Sequence, residues 1–146
     1  MNPQEFFSSE DKKRIVDSIK AAERRTSGEI RVHLEAECKT DVLDRAAYIF
    51  KKLELHKTAQ RNGVLFYLAV ETRNFAILGD AGINSVVPDG FWDSIKETMI
   101  KEFVNGNFTE GLCIGIEMAG EKLREHFPFL KNDVNELPDE ISFEKK

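Results

Sequence analysis

Several features are scarce in this sequence, and each scarcity argues against a class of protein. The chain has only two cysteines, Cys38 and Cys113, in 146 residues, whereas small secreted domains that depend on disulfides carry more. Both are therefore expected to be free thiols in a reducing compartment. Residues 1–7 contain neither a basic cluster nor an apolar run, so no signal peptide is expected. No apolar run approaches the roughly 18 residues of a membrane span. We expect a cytoplasmic protein without a membrane anchor.

A net positive charge and familiar catalytic motifs are also lacking. The formal net charge is −5, which argues against bulk electrostatic binding to nucleic acid, so no nucleic-acid partner is expected. The sequence has no dinucleotide or Walker loop, no nucleophile elbow and no HExxH motif. Its three histidines, His33, His56 and His126, do not have the paired spacing of metal ligands. Function must therefore be sought in the arrangement of other polar residues.

The most informative stretch is a continuous apolar run from Val64 to Val70. Such a run, rich in β-forming residues and bounded by Gly63 and the polar residues 71–74, predicts a strand covered on both faces. A second strand follows after only a few residues and ends at Gly79-Asp80, so the two are expected to form an antiparallel hairpin. Helices are required on both sides of this sheet.

An earlier segment, Glu29 to Glu35, alternates strictly between apolar and polar residues. The pattern predicts a strand with one buried face, formed by Ile30, Val32 and Leu34, and one solvated or partly covered face near a sheet edge. A helix separates it from the Val64 strand. That helix acts as a crossover connection, which makes these two strands parallel.

Helical periodicity and capping residues complete the pattern. Helix starts are predicted at Ser8 or Ser9, at Thr40-Asp41, at Asp89 and at Thr109. The second helix is expected to bury Leu43, Ala46, Ala47, Phe50 and Leu53. The order α-β-α-β-β-α-α predicts an α/β fold, a small three-layer α/β/α sandwich whose mixed sheet contains an antiparallel hairpin. We place this domain in residues 1–128 and an acidic, partly ordered tail in 129–146.

The predicted topology brings polar residues to one rim of the sheet. The end of the third strand should lie beside the starts of the first two, which gathers Glu29, Arg61, Asn62, Asp80, Asp89 and Asp93. Carboxylate and amide oxygens suit a hard cation such as Ca²⁺ or Mg²⁺, whereas Arg61 with nearby backbone N–H groups could bind a phosphate. Each acid also has an ordinary explanation: Asp89 as a helix cap, Asp80 as a turn residue and Glu29 as a surface carboxylate.

Several short motifs, in their order and spacing, resemble the TPM domain family over residues 9–127. They are Ser27 to Val32, Arg61 to Leu65, Gly79 to Ile83, Val87-Pro88-Asp89 and Phe103 to Leu112. The resemblance implies a Rossmann-like α/β/α sandwich and a calcium or magnesium site built from acidic residues at a loop-rich rim. It also implies acid-phosphatase activity, as attributed to some members. Asp89 matches a family aspartate and is the best candidate ligand. The chain resembles a stand-alone, cytoplasmic bacterial type of the family.

Two functions follow. The first is a metal-binding module that docks a partner protein without catalysis, with the ion held by Asp89, Asp80, Glu29 and Asp93. The alternative is a weak metal-dependent phosphomonoester hydrolase. In that hypothesis the cation readies a water, Arg61 steadies the phosphate, and Asp80 or Asp89 acts as ligand or base. The sequence favours the first because it offers no obvious nucleophile.

Overall fold

The computed structural model describes residues 2–129 and 141–144. Within them the strands are β1 (Glu29–Glu35), β2 (Gly63–Ala69), β3 (Asn74–Gly79) and β4 (Ser142–Phe143). The α-helices are α1 (Ser9–Glu23), α2 (Val42–Lys52), α3 (Ala81–Asn84), α4 (Phe91–Val104) and α5 (Phe108–His126). Short 3₁₀ turns span Pro3–Glu5 and Leu55–Lys57. None of these helices combines the length and apolar content that a membrane crossing needs.

The four strands form one mixed sheet in the order β3-β2-β1-β4. β1 runs parallel to β2, with Glu29 opposite Gly63, and β2 runs antiparallel to β3, with Val64 opposite Gly79. The predicted crossover and hairpin are therefore both confirmed. β4 pairs with the other edge of β1, also in parallel.

Both faces of β2 are buried, as the continuous apolar run predicted. Val64, Phe66 and Leu68 belong to one core, shared with buried residues of α1, α4 and α5. Leu65 and Tyr67 belong to a second core on the opposite face, which α2 covers. Burying each large apolar side chain contributes about 1.5–3 kcal/mol. The small α/β sandwich with helices on both faces is thus confirmed.

Two of the predicted helix starts are confirmed in atomic detail. The Ser8 side chain accepts a hydrogen bond from Asp11 N at 3.1 Å, and Asp41 accepts from Leu43 N and Asp44 N at 2.9 and 3.1 Å. The cap proposed at Asp89 is wrong. The N-cap of α4 is Gly90, in a left-handed conformation with φ of 78° and no side-chain cap bond. A capping role therefore does not account for Asp89.

The buried stripe of α2 is rotated from the predicted one. Leu43 is 55% exposed, and the buried residues are Ala46, Ile49 and Phe50. Val42 packs against this core in place of Leu43. The helix thus buries a face set by the contact with β2 and β3, which its own sequence periodicity does not define uniquely.

The expectation that one face of β1 is solvated or only partly covered is wrong, because all seven of its residues are buried. Two elements cover its polar face and its outer edge: α2, through Arg45, and β4, through Ser142. β4 falls within the predicted tail, 129–146. Residues 130–140 and 145–146 of that tail lie outside the described residues.

Helix α5 approaches its neighbours closely where it carries glycine. A methyl group added at Gly115 would overlap the Met99 sulfur and lie 3.0 Å from Phe66, and one at Gly120 would lie 2.8 Å from the Cβ of Ala22. These glycines therefore let α5 pack against both α1 and α4 despite their low helix propensity.

Candidate functional site

Three strand ends meet at one rim, as the topology predicted. Asp80 N donates to Gly63 O at 2.9 Å, and Glu29 N donates to Asn62 O at 3.4 Å. The end of β3 therefore lies beside the starts of β1 and β2. Glu29, Arg61, Asn62 and Asp80 all lie at this rim.

Asp80 is the anchor of the rim. Its carboxylate accepts two hydrogen bonds from Arg61, at 2.6 Å from Nε and 2.8 Å from Nη2. One oxygen also accepts from Ala81 N at 2.8 Å, which caps the short helix α3. Asp80 is 8% exposed, whereas the Arg61 side chain is 53% exposed. The hydrogen bond to Asp80 raises the pKa of Arg61 above its ordinary value, so the guanidinium stays charged and bound to this carboxylate.

Glu29 and Asn62 lie beneath the surface of the rim, with 3% and 1% exposure. The interpretation of Glu29 as a surface carboxylate is therefore wrong. Asn62 Nδ2 donates to Ser27 Oγ at 3.2 Å. Its carbonyl oxygen, Oδ1, is buried and has no hydrogen-bond donor among the described residues. A buried acceptor of this kind normally binds water or an ion.

Asp89 and Asp93 lie in the adjoining segment, where they line a cleft of about 270 Å³ together with Asn84 and Trp92. Both aspartates are exposed. Asn84 joins this cleft to the sheet, because its Nδ2 donates to Gly79 O at 2.7 Å and its Oδ1 accepts from Trp92 Nε1 at 2.7 Å. Neither Asn84 nor Trp92 was predicted as a site residue.

The predicted site residues therefore share one rim but occupy two positions on it. Among the described residues, no three His, Cys, Asp or Glu side chains are grouped so that they could hold a metal ion. Asp80 is bound to Arg61 beside buried Glu29, whereas Asp89 and Asp93 line the neighbouring cleft. Any ion at this rim would need oxygen ligands from backbone, amide or water as well.

A second polar cluster, centred on Glu35, lies at the carboxyl end of β1 and was not predicted. Glu35 is 1% exposed and accepts hydrogen bonds from Arg45 Nε at 2.8 Å, from Tyr67 Oη at 2.6 Å and from Arg45 Nη2 at 2.5 Å. His33 Nε2 lies 3.2 Å from Glu35 Oε2, and His33 Nδ1 lies 2.9 Å from Ser142 Oγ. Both carboxylate oxygens of Glu35 are thus hydrogen-bonded inside the fold.

The protonation states of this cluster follow from its geometry. Burial alone would raise the pKa of Glu35, but the hydrogen bonds from Arg45, Tyr67 and His33 outweigh it and lower that pKa to about 2. Burial raises the pKa of the Tyr67 hydroxyl, and the bond to Glu35 raises it further. Burial lowers the pKa of His33 below its ordinary value. At neutral pH the cluster holds a carboxylate, a neutral imidazole and a guanidinium.

Acid is expected to destabilise the fold through this cluster. Because the folded-state pKa of Glu35 is about 2 against an ordinary 4.5, its contribution is complete above 4.5 and is lost as the pH falls toward 2. This contribution amounts to roughly 3 to 4 kcal/mol at about 1.4 kcal/mol per pKa unit. The lowered pKa of His33 adds a loss that begins near its ordinary value of 6.5. Urea unfolding at a series of pH values measures this loss.

In a His33→Gln variant the upper part of that decline should disappear, because no imidazole remains to take up a proton on unfolding. The decline below 4.5 should remain. A variant that loses stability between 6.5 and 4.5 as steeply as the original chain would contradict the assignment to His33.

Comparisons with known proteins identify the family and a similar solved structure. The family model described as the TPM domain matches residues 1–122. The NMR structure of the BA42 protein from the psychrophilic bacterium Bizionia argentinensis is 50% identical, with a TM-score of 0.90 over 97% of each chain. No curated protein sequence matches the chain.

Two more distant NMR structures share the fold. The N-terminal domain of a protein from P. gingivalis is 22% identical with a TM-score of 0.69, covering 86% of this chain and 83% of that one. The N-terminal domain of cg2496 from Corynebacterium glutamicum is 18% identical with a TM-score of 0.59, covering 81% and 74%. With the family match spanning most of its length, this chain belongs to the TPM domain family.

Proposed function

We propose that the chain is a divalent-cation-binding module that binds Ca²⁺ or Mg²⁺ in the cleft between α3 and α4. The observation that carries the proposal is the state of Asp89 and Asp93. Both line the same cleft and are exposed, and neither forms an ion pair or a side-chain hydrogen bond with a described residue. Carboxylates that neither cap a helix nor neutralise a cation are available as ligands for a hard cation.

The remaining ligands would come from oxygen atoms of the rim. Asn84 Oδ1 already accepts from Trp92, and the buried Oδ1 of Asn62 has no donor among the described residues. Asp80, which Arg61 neutralises, and buried Glu29 lie at the neighbouring position on the rim and do not line this cleft. A cation here would keep several waters. The affinity is therefore expected to be weak, with a dissociation constant on the order of 10⁻⁴ to 10⁻³ M.

The state of Arg61 favours a binding module over a hydrolase. Its guanidinium is held by both oxygens of Asp80, so a phosphate would have to compete with a bidentate carboxylate. The bound ion would instead order the segment from Asp80 to Asp93 as a surface for a protein partner.

Titration of CaCl₂ and MgCl₂ into the labelled protein, followed by backbone amide shifts, tests the site. Shifts are expected to concentrate in residues 84–93. Asp89→Asn should weaken binding at least about fivefold, because a hard cation favours a carboxylate over an amide. Asp17→Asn, a change at an exposed aspartate of α1, serves as the matched control and should leave the affinity unchanged. Amides around Asp89 that do not move at millimolar cation would disprove the site.

Hydrolysis of p-nitrophenyl phosphate separates the two functions. We expect no turnover that depends on Asp89 or Arg61. Metal-dependent turnover that is lost in both Asp89→Asn and Arg61→Gln would instead establish the hydrolase and replace the module hypothesis.

A further inference from the structure

A second surface lies at the opposite end of the β2–β3 hairpin from the cation cleft. It is a groove of about 490 Å³ between the hairpin turn, α4 and the start of α5. Its main walls are Phe75, Ile100, Phe103 and Val104, and two cations, Arg73 and Lys96, also line it. Pockets of roughly 300–1,000 Å³ with mostly apolar walls and few polar groups are typical small-molecule sites.

The apolar wall is formed by packed aromatic rings and is partly open to solvent. Phe75 packs edge-on against Phe103 with ring centroids 5.3 Å apart, and Phe103 stacks on Phe108 at 5.1 Å. Ile100 and Val104 stand one helical turn apart on α4 and are 41% and 79% exposed. A ligand with an apolar body would remove this surface from water, which is favourable by about 25 cal/mol per Å².

The charge of the groove is opposite to that of the chain. The chain carries a net charge of −5, yet among the described residues no Asp or Glu lines the groove, whereas Arg73 and Lys96 do. Neither cation forms an ion pair with a described residue. The Arg73 guanidinium instead lies 5.2 Å from the centre of the Phe108 ring. That contact holds it over the groove and leaves its N–H groups for an anion.

The backbone of Arg73 adds an independent observation. It has φ of +59° in the turn between β2 and β3, a left-handed conformation that glycine or asparagine adopts more easily. Non-glycine residues in this region occur disproportionately where a side chain is needed at a set position. The groove also lies beyond the carboxyl end of β2, the side of a parallel α/β sheet where ligands bind.

We propose that this groove binds a small apolar carboxylate, such as a medium-chain alkanoate. The alkyl chain lies against Ile100, Phe103 and Val104, and the carboxylate binds the guanidinium of Arg73 while Lys96 adds positive potential. The proposal does not depend on the cation cleft, which lies at the other end of the hairpin.

Sodium decanoate, kept below its micelle concentration, is the probe. Amide shifts are expected in residues 72–76 and 96–108, and residues 84–93 should stay still. Arg73→Asn should weaken binding at least about tenfold, because a charge-assisted hydrogen bond is lost, and asparagine tolerates the left-handed backbone. Ile100→Glu, at a partly exposed position, should abolish binding by placing a carboxylate in the groove.

Two controls make the test specific. Lys13→Gln removes an exposed cation of α1 and should not change the affinity, and decan-1-ol should bind at least about tenfold more weakly than decanoate. Equal binding of the alcohol, unchanged affinity in Arg73→Asn, or no decanoate shift would overturn the proposal. Groove amides that move with protein concentration alone would assign the groove to a second copy of the chain and also overturn it.

Discussion

Replacing Glu35 by glutamine is expected to lower the free energy of unfolding by about 3 kcal/mol at neutral pH. The variant leaves Arg45 without its carboxylate partner. It also places an amide NH₂, itself a donor, against groups that now donate hydrogen bonds to the carboxylate. Tyr67 Oη, at 2.6 Å, would lose its charged acceptor while still buried. The penalty stays near the lower limit for a broken buried pair because the Arg45 side chain is 34% exposed. Urea unfolding monitored by circular dichroism measures the change.

Glu37→Gln is the matched control for this experiment. Glu37 lies two residues further along, its side chain is 45% exposed, and its partner Lys39 is 3.5 Å away. Exposed ion pairs contribute about 0–1 kcal/mol, so this variant should change stability by no more than about 0.5 kcal/mol. Similar losses in Glu35→Gln and Glu37→Gln would show that the buried cluster has no special role in stability.

Replacing Gly82 by alanine is expected to lower the free energy of unfolding by about 3 kcal/mol. The added methyl group would overlap the backbone oxygen of Gln60 and lie 2.7 Å from that of Arg61. Both are main-chain atoms, so relief requires the segment before β2 to move. That segment positions Arg61. The backbone oxygen of Arg61 accepts a hydrogen bond from Gly82 N at 2.8 Å, and its guanidinium donates to Asp80.

Gly106→Asn provides the comparison for Gly82→Ala. Gly106 has φ of +81° and nothing within 4 Å of an added Cβ, and asparagine tolerates the left-handed region. Its stability change should stay below about 1 kcal/mol. Thermal unfolding and the amide shifts of Arg61 and Asp80 report on both variants. A stable Gly82→Ala variant with unmoved rim amides would contradict the proposed close packing.

Much of the fold could be predicted because single elements carry strong local signals. The run from Val64 to Val70 has no polar interruption, and the short turn after it leaves only a hairpin. Ser8 and Asp41 are capping residues placed directly before apolar helical repeats. From these elements and the handedness of crossovers, the rim that joins Gly63 and Asp80 follows.

The parts that were missed depend on distant contacts. Alternation in β1 indicates that His33 and Glu35 face solvent, because a period of two identifies faces without showing what covers them. Their partners, Arg45, Tyr67 and Ser142, come from α2, β2 and β4. A two-residue strand such as β4 has no periodicity from which it could be recognised.

The candidate site was predicted only in part, for a related reason. Topology placed Glu29, Asn62 and Asp80 at one rim. Side-chain pairing decides which oxygens remain available, and the binding of Arg61 to Asp80 could not be inferred from spacing alone. The assignment of a cation to Asp89 and Asp93 remains a prediction for titration.

The late position of β4 in the chain has a kinetic consequence. The outer edge of β1 is paired only after Ser142, 109 residues beyond His33 in the chain, has reached it. Until then a newly made chain presents an open strand edge, which other chains could extend. A contact of such long range forms late in folding, so weakening it should speed unfolding more than it slows folding. The last described residues of the chain thus cover the outer edge of one of its first strands.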